Sequence, residues 1–280
     1  MATKKAASNA KKSSNNKATS AKQTTTKVTT VKAVESRPVV REAATPRRRS
    51  FDFSRRPLVA ALIAEFVGTF IFAATVIAGQ GQPILVFFAL VGVVLAVGTL
   101  SRAYVNPALT IAAWVTRRMS ALRALAYIVA QVLGAMLALV VLNAYVGHAA
   151  APSAVDMYGS GAQLFKASAL PEGKEWLILL AEVLGTAIFG FAVANATREK
   201  KDRTAAAFTV GIGVFLGLMV AGSAAAFIGG SAILNPAVAV ALQVNFLNVW
   251  TLAVYALGST LGAIVGFALY DLLRTAEEEA

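Results

Sequence analysis

The chain has 280 residues, of which 57% are hydrophobic and only 14% are charged. Soluble domains contain roughly 45–50% apolar residues, so this composition excludes an ordinary soluble protein and indicates a membrane protein. The chain has no cysteine and a single histidine, His148, which excludes disulfides, thiolate metal sites and multi-histidine sites, and we predict no metal and no cofactor.

The whole net charge of +12 comes from the N-terminal segment, residues 1–57. This segment holds 15 of the 26 basic residues and 3 of the 14 acidic residues, so the remainder of the chain is neutral. It contains almost no large apolar side chains and cannot bury enough surface to fold alone. We predict a disordered basic tail that lacks a secretory signal and is solvated or contacts anionic lipid; we expect no nucleic acid partner.

Six stretches with few or no charges follow, and each is long enough to cross a lipid bilayer. They cover residues 58–78, 84–100, 122–145, 176–196, 205–225 and 249–272. The loops that carry Arg117, Arg118 and Arg198 fall on the same side as the basic tail, and the excess of basic residues places that side in the cytoplasm. We predict an integral, multi-pass, all-α protein of a plasma or bacterial inner membrane. Both termini are then cytoplasmic, and residues 273–280 form a short acidic tail.

The chain also repeats itself. The pattern Ala-Glu-x-x-Gly-Thr begins at Ala64 in the first span and again at Ala181 in the fourth. This divides the membrane domain, residues 58–272, into a repeat at 58–145 and a repeat at 176–272. Three spans per repeat is an odd number, so the second copy must be inverted relative to the first in the membrane.

The tripeptide Asn-Pro-Ala occurs twice, as Asn106-Pro107-Ala108 and as Asn235-Pro236-Ala237. An Asn caps a helix start and Pro suits the first helical position, so each copy predicts a helix. The two apolar runs, 107–114 and 236–242, reach only about halfway across a bilayer. The inverted repeat predicts that their N-termini meet near the midplane, where non-helical backbone must be buried or must line a water-filled lumen.

These motifs resemble the aquaporin and glycerol-facilitator family, also called major intrinsic proteins. The resemblance rests on the two doubled patterns and on Ala130-Gln131-Val132-Leu133-Gly134 in the third span, and it covers about residues 58–270. It implies six spans, two re-entrant half-helices, one pore per subunit, a homotetramer, and passive diffusion of water and small neutral solutes such as glycerol. The two Asn-Pro-Ala motifs would form the pore constriction. Their helix N-termini each place about half a positive charge beside the lumen and raise the barrier for cations.

The chain departs from this family at the selectivity filter. The family usually has an Arg after the second Asn-Pro-Ala, and water-selective members use a His from the fifth span; here Val238 takes the first position, and His148 lies outside that span. We predict a filter at the outer end of the pore that consists of Val86, Ser223, Ala232 and Val238, and any residue of 218–223 is an alternative at the fifth-span position. Such a wide, apolar ring would admit polyols, although an apolar ring can also dewet and slow water.

Two acidic residues, Glu65 and Glu182, lie inside apolar spans, where a charge costs about 2.5–3.5 kcal/mol on insertion scales. The resemblance implies that each carboxylate accepts hydrogen bonds from a re-entrant loop; the alternative is a proton relay. Before the first motif, Arg102 and Tyr104 replace residues typical of the family, and we assign both to the pore vestibule. The alternative for Arg102, which we prefer at this point, is that it snorkels to the interface or pairs with an acid.

No catalytic triad, phosphate-binding loop or dinucleotide fingerprint is present, so we predict that the chain is not an enzyme. The predicted function is a passive channel. Two alternatives stay open: a proton-coupled secondary transporter, which would accumulate solute against a gradient, and a non-conducting membrane interaction protein with the same fold.

Overall fold

The computed structural model describes residues 55–148, 163–199 and 201–278. Most of the predicted basic tail and the last two residues of the predicted acidic tail lie outside these ranges. The helices of the described residues are α1 (Arg55–Ala78), α2 (Pro83–Ser101), α3 (Pro107–Val115), α4 (Ala121–Gly147), α5 (Glu175–Ala196), α6 (Arg203–Ala226), α7 (Pro236–Ala241), α8 (Val249–Leu252) and α9 (Ser259–Glu278).

Six helical segments are long and apolar enough to cross a membrane, and they match the six predicted spans. Helices α1, α2, α4, α5 and α6 are five of them. A π-helical turn, Ala253–Gly258, joins α8 to α9, and these three pieces together form the sixth. Helix α9 continues to Glu278, beyond the predicted end of the sixth span at residue 272.

The two helices that begin at the Asn-Pro-Ala motifs are α3, with 9 residues, and α7, with 6 residues. At about 1.5 Å per residue, α3 is roughly 14 Å long, about half the hydrocarbon thickness. The side-chain oxygen of Asn106 accepts a hydrogen bond from the amide of Ala108 at 2.9 Å, and that of Asn235 accepts one from Ala237 at 3.0 Å. Both helices therefore begin with an Asn cap, and the predicted aquaporin-like arrangement of six spans and two half-helices is confirmed.

Each half-helix packs against the last span of the opposite repeat: α3 contacts α9, and α7 contacts α4. Within each repeat, the first and last spans also pack together, as α1 with α4 and as α5 with α9. The two repeats are therefore interlocked rather than side by side.

Glycine permits two close crossings between spans. A Cβ atom on Gly134 of α4 would lie 2.3 Å from the carbonyl oxygen of Phe66, and one on Gly262 of α9 would lie 2.3 Å from that of Val183. These distances are far below a van der Waals contact, so only glycine lets the backbones approach this closely. The two crossings are equivalent under the internal repeat.

Candidate pore

The two half-helices meet at their N-termini. The side-chain amide nitrogen of Asn106 donates to the carbonyl oxygen of Leu234 at 2.8 Å, and that of Asn235 donates to the carbonyl oxygen of Val105 at 2.9 Å. The two contacts are reciprocal, and each ties one loop to the other repeat. Each amide nitrogen carries two N–H groups, so each Asn keeps one N–H group that can donate to another acceptor.

The buried carboxylates of Glu65 and Glu182 hold the two loops that precede the half-helices. Glu65 accepts from the backbone amides of Tyr104 at 3.0 Å and Val105 at 2.8 Å. Glu182 accepts from those of Ile233 at 2.5 Å and Leu234 at 3.0 Å. Both acids are 0% exposed. These are the contacts that the family resemblance implies, and they give each acid a structural role without a proton relay.

Each carboxylate also accepts a hydrogen bond from one side chain, and this side chain differs between the two repeats. Gln131 of α4 donates to Glu65 at 2.7 Å, whereas Ser259 donates to Glu182 at 2.6 Å. One turn before Ser259 lies Tyr255, whose hydroxyl donates to the carbonyl of Ser231 at 3.0 Å. The π-helical turn ends directly before Ser259, and α4 has no such turn beside Gln131.

One end of the bundle contains a cavity of about 430 Å³ that reaches Asn235. The four predicted filter residues Val86, Ser223, Ala232 and Val238 all border it, and so does Leu218, one of the fifth-span alternatives. We name it the outer cavity because it contains the filter that the sequence predicts for the outer end of the pore. None of the described residues that line it is charged. Phe87 lies on another face of α2 and packs edge-on against Phe208 and Phe215.

Three phenylalanines line this cavity, Phe72, Phe165 and Phe189, and none of them was predicted from the sequence. Phe72 lies seven residues after Glu65, and Phe189 lies seven residues after Glu182, so each shares the inward face of its span with the buried acid. The repeated pattern in fact continues past Gly-Thr to Ile-Phe in both copies. Extending the alignment by three residues would have revealed the pair.

A second cavity, of about 280 Å³, lies at the opposite end of the same helices. We name it the inner cavity. On α5, Phe189 lines the outer cavity, and Val193, one turn later, lines the inner cavity. On α6, Val214 lines the outer cavity, and Val210, one turn earlier, lines the inner cavity. The two cavities thus lie on either side of a short apolar stretch beside the Asn-Pro-Ala junction. We expect such an arrangement of a pore with two vestibules and a central constriction.

Arg102 and Tyr104 differ in their position relative to the inner cavity. Arg102 is exposed, caps the C-terminus of α2 and borders the cavity. Its backbone has a φ of 77°, a left-handed conformation that normally favours glycine. Tyr104 is only 2% exposed and is not among the residues that line the inner cavity. Arg102 thus lies beside the inner cavity, and Tyr104 is packed inside the loop.

The described residues at this inner end are rich in arginine. The guanidinium of Arg118, in the loop after α3, donates to Asp271 of α9 at 2.6 Å and to the carbonyl oxygen of Ala194 of α5 at 3.1 Å. Arg198 also reaches Asp271, at 3.1 Å. The loops after α3 and α5 therefore lie on the same face as the C-terminal half of α9.

Comparison with known proteins gives one consistent family. The family model described as "Major intrinsic protein" matches residues 52–271. Aquaporin NIP1-1 of Zea mays is 29% identical over 78% of this chain and 76% of its own length. Glycerol uptake facilitator protein-like 6 of Lactiplantibacillus plantarum is 31% identical over 62% of this chain and 79% of its own length. The X-ray structure of the aquaglyceroporin from Plasmodium falciparum superimposes with a TM-score of 0.60 at 19% identity, over 80% of this chain and 100% of that one.

Proposed function

Because the chain belongs to the major intrinsic protein family and is an integral membrane channel, we propose that it conducts water and small uncharged solutes of the size of glycerol. The observation that carries this proposal is the chemistry of the outer cavity. Val238 stands where the family usually has a filter arginine, and none of the described residues that line the cavity is charged. Glycerol-type passage also agrees with the names of the relatives, which include a glycerol uptake facilitator.

The outer cavity is large enough to hold solutes larger than water. Its volume of about 430 Å³ greatly exceeds the ~30 Å³ that one water occupies in the liquid. An arginine at position 238 would project a long cationic side chain into this space, whereas valine leaves the space open. Phe72 and Phe189 supply apolar walls that suit the carbon backbone of a polyol.

The central junction supplies the barrier against ions. The N-termini of α3 and α7 both point at it, and their partial positive charges disfavour cations. The second N–H group of Asn106 and of Asn235 can donate to the oxygen of a passing solute. We assign the constriction to Asn106, Pro107, Ala108, Asn235, Pro236 and Ala237.

The assembly and the orientation belong to the same proposal. We assign the arginine-rich face to the cytoplasm, because basic loops stay on that side, and this assignment places the C-terminal end of α9 inside. The spans carry large apolar side chains on their outer surfaces, which suits contact with lipid and with neighbouring subunits of a homotetramer. Native mass spectrometry of detergent-purified protein measures the subunit number: four supports the assembly, and a monomer contradicts it.

Swelling of proteoliposomes tests the solute class. Vesicles with purified full-length protein are subjected in turn to water, glycerol and urea gradients, and empty vesicles give the background. We expect glycerol flux clearly above background, with no accumulation against a gradient when a proton gradient is imposed. Rapid permeation of water alone would contradict the wide filter. Proton-driven accumulation would instead support the secondary transporter, and the absence of all flux would support a non-conducting interaction protein.

A further inference from the structure

An open hollow of about 650 Å³ lies at the arginine-rich face of the bundle, beside the inner cavity. Its lining is unusual for a membrane protein because four of its six residues are arginines. The lining residues are Arg102, Arg118, Thr197, Arg198, Tyr270 and Arg274. They come from the end of α2, the loop after α3, the C-terminal end of α5, and α9, so four separate parts of the chain converge on this hollow.

Positive charge in the hollow exceeds the negative charge that the structure places against it. Asp271 pairs with two of the arginines through one oxygen atom, Oδ1, at 2.6 Å from Arg118 and 3.1 Å from Arg198. No acidic residue is among the described residues that line the hollow itself. Leaving Arg274 aside, the guanidinium groups of Arg102, Arg118 and Arg198 against the one carboxylate of Asp271 leave a formal excess of two positive charges. Such an excess in a concave site attracts anions.

Arg118 is the fixed part of this site. Its side chain is only 10% exposed, and it is held by Asp271, by the hydroxyl of Thr197 at 2.8 Å and by the ring of Phe267, whose centroid lies 4.8 Å from its Cζ. Its Nε is buried and has no hydrogen-bond partner within the described ranges. A guanidinium that is already held in place loses little conformational entropy when it binds a ligand.

Arg102 links the hollow to the pore. Arg102 and Thr197 border both the hollow and the inner cavity, so a ligand held between them would lie at the pore mouth. The left-handed backbone at Arg102 would be relaxed by glycine, yet the chain has an arginine there. The charge of Arg102 is therefore present despite a local backbone cost.

We propose that this hollow binds a phosphate-bearing anion, either a soluble phosphate or the headgroup of an anionic lipid, and that the bound anion narrows the inner mouth and slows solute flux. Guanidinium groups bind phosphate oxygens in pairs of parallel hydrogen bonds, which the exposed guanidinium groups of Arg102 and Arg198 can offer. The binding site stands on the geometry alone. The effect on flux rests on the proposed channel function.

The first arm of the test measures binding without flux. Thermal unfolding of the purified full-length protein is followed in a chloride buffer with increasing inorganic phosphate, and in nanodiscs of phosphatidylcholine with or without phosphatidic acid. We expect an increase in Tm with phosphate, with phosphatidic acid or with both; a response to one alone identifies the source of the anion. The proposal would be overturned if neither inorganic phosphate nor phosphatidic acid raised Tm more than chloride does at equal ionic strength.

Three variants separate this site from general surface charge. Arg102→Gly and Arg198→Gln each remove one cation of the hollow, whereas Arg123→Gln removes an exposed cation of α4 that does not line it. Loss of one charge-assisted phosphate contact weakens binding about tenfold. We expect Arg102→Gly and Arg198→Gln to raise the half-saturating phosphate concentration by this factor and Arg123→Gln to leave it unchanged. Equal effects of all three variants would overturn the assignment to the hollow.

The second arm measures flux with the same anions present on the arginine-rich side of proteoliposomes. We expect the anion to slow glycerol flux of the wild type, and to slow that of Arg102→Gly less, relative to its own anion-free rate. Binding of the anion without slower glycerol flux would contradict the regulatory role but would still support the binding site. If no protein-dependent flux exists even without anions, the proposed function fails, while the result of the Tm measurement still decides the binding site.

Discussion

Asn106 donates its side-chain amide to the carbonyl oxygen of Leu234 across 2.8 Å, and these two residues belong to opposite repeats of the chain. The Asn side chain thus has two roles, because its oxygen caps α3 through the amide of Ala108 while its nitrogen holds the loop before α7. Asn235 makes the equivalent contacts, with the amide of Ala237 and the carbonyl oxygen of Val105. The side-chain amides at the proposed centre of the pore therefore also tie the two repeats together.

Replacement of Asn106 by Asp separates these two roles. Asp keeps the oxygen that caps α3 but cannot donate to Leu234, and it adds a negative charge at the centre of the pore. We expect Asn106→Asp to lose about 1–3 kcal/mol of stability, because a buried carbonyl loses its donor, and to admit potassium ions. Thermal unfolding and potassium flux into proteoliposomes measure the two effects.

Asn248→Asp is the matched control for this substitution. Asn248 caps α8 in the same way, through the amide of Trp250, but it is exposed and lies outside both cavities. We expect it to leave unfolding and ion flux unchanged. Wild-type ion exclusion in Asn106→Asp would contradict the role of the junction as the ion barrier.

Glu65→Gln tests the support of the first re-entrant loop. The two carboxylate oxygens of Glu65 accept from three N–H groups, and a glutamine would turn one acceptor into a donor that faces another N–H. We expect a loss of about 1–3 kcal/mol and a lower solute flux as the loop loosens. Glu172→Gln, at an exposed site, serves as the control in the same unfolding assay. A Glu65→Gln protein with wild-type stability and flux would show that the loop does not depend on this carboxylate.

Gly134→Ala tests the close crossing of α1 and α4. The added Cβ would lie 2.3 Å from the carbonyl oxygen of Phe66, so the two helices must separate. We expect a destabilisation of about 1–3 kcal/mol by overpacking, measured as a lower Tm. Gly92→Ala is the control, since a Cβ on Gly92 meets nothing within 4 Å, and it should be neutral or stabilising by up to about 1 kcal/mol. Equal Tm values for the two variants would contradict the importance of this crossing.

Val238→Arg restores the residue that the family usually has after the second Asn-Pro-Ala. Val238 is 2% exposed and borders the outer cavity, so a longer cationic side chain would reduce the free cross-section there. We expect glycerol flux to fall at least tenfold while water flux changes less. Val238→Leu adds volume without charge and should produce only a small decrease. If Val238→Arg retained full glycerol flux, Val238 would not form part of the filter.

The sequence predicted the architecture because its signals are local and doubled. Apolar runs, Asn caps and an odd number of spans per repeat together predict six spans and two meeting half-helices. Glu65 and Glu182 could be identified in the same way, because a buried charge in a membrane requires a partner. The half-helix boundaries differ from the structure by only one residue at each C-terminal end.

The walls of the pore could be predicted only in part. Val86 and Val238 were predicted from their spacing to the two motifs, whereas Phe72 and Phe189 were missed because the comparison of the two repeats ended at Gly-Thr, three residues before each phenylalanine. The arginine-lined hollow was not foreseen either, because Arg102, Arg118, Arg198 and Arg274 are far apart in the chain and meet only when the helix ends converge. Spacing along one helix cannot reveal such a convergence.

The most direct test of the central claim, a wide and uncharged passive pore, is the glycerol permeability of proteoliposomes relative to their water permeability. The vesicles contain the full-length protein, and light scattering follows their volume after a glycerol gradient is applied. Our account predicts glycerol entry well above that of empty vesicles and a marked decrease in Val238→Arg vesicles. Glycerol entry equal to that of empty vesicles, together with rapid water flux, would contradict it.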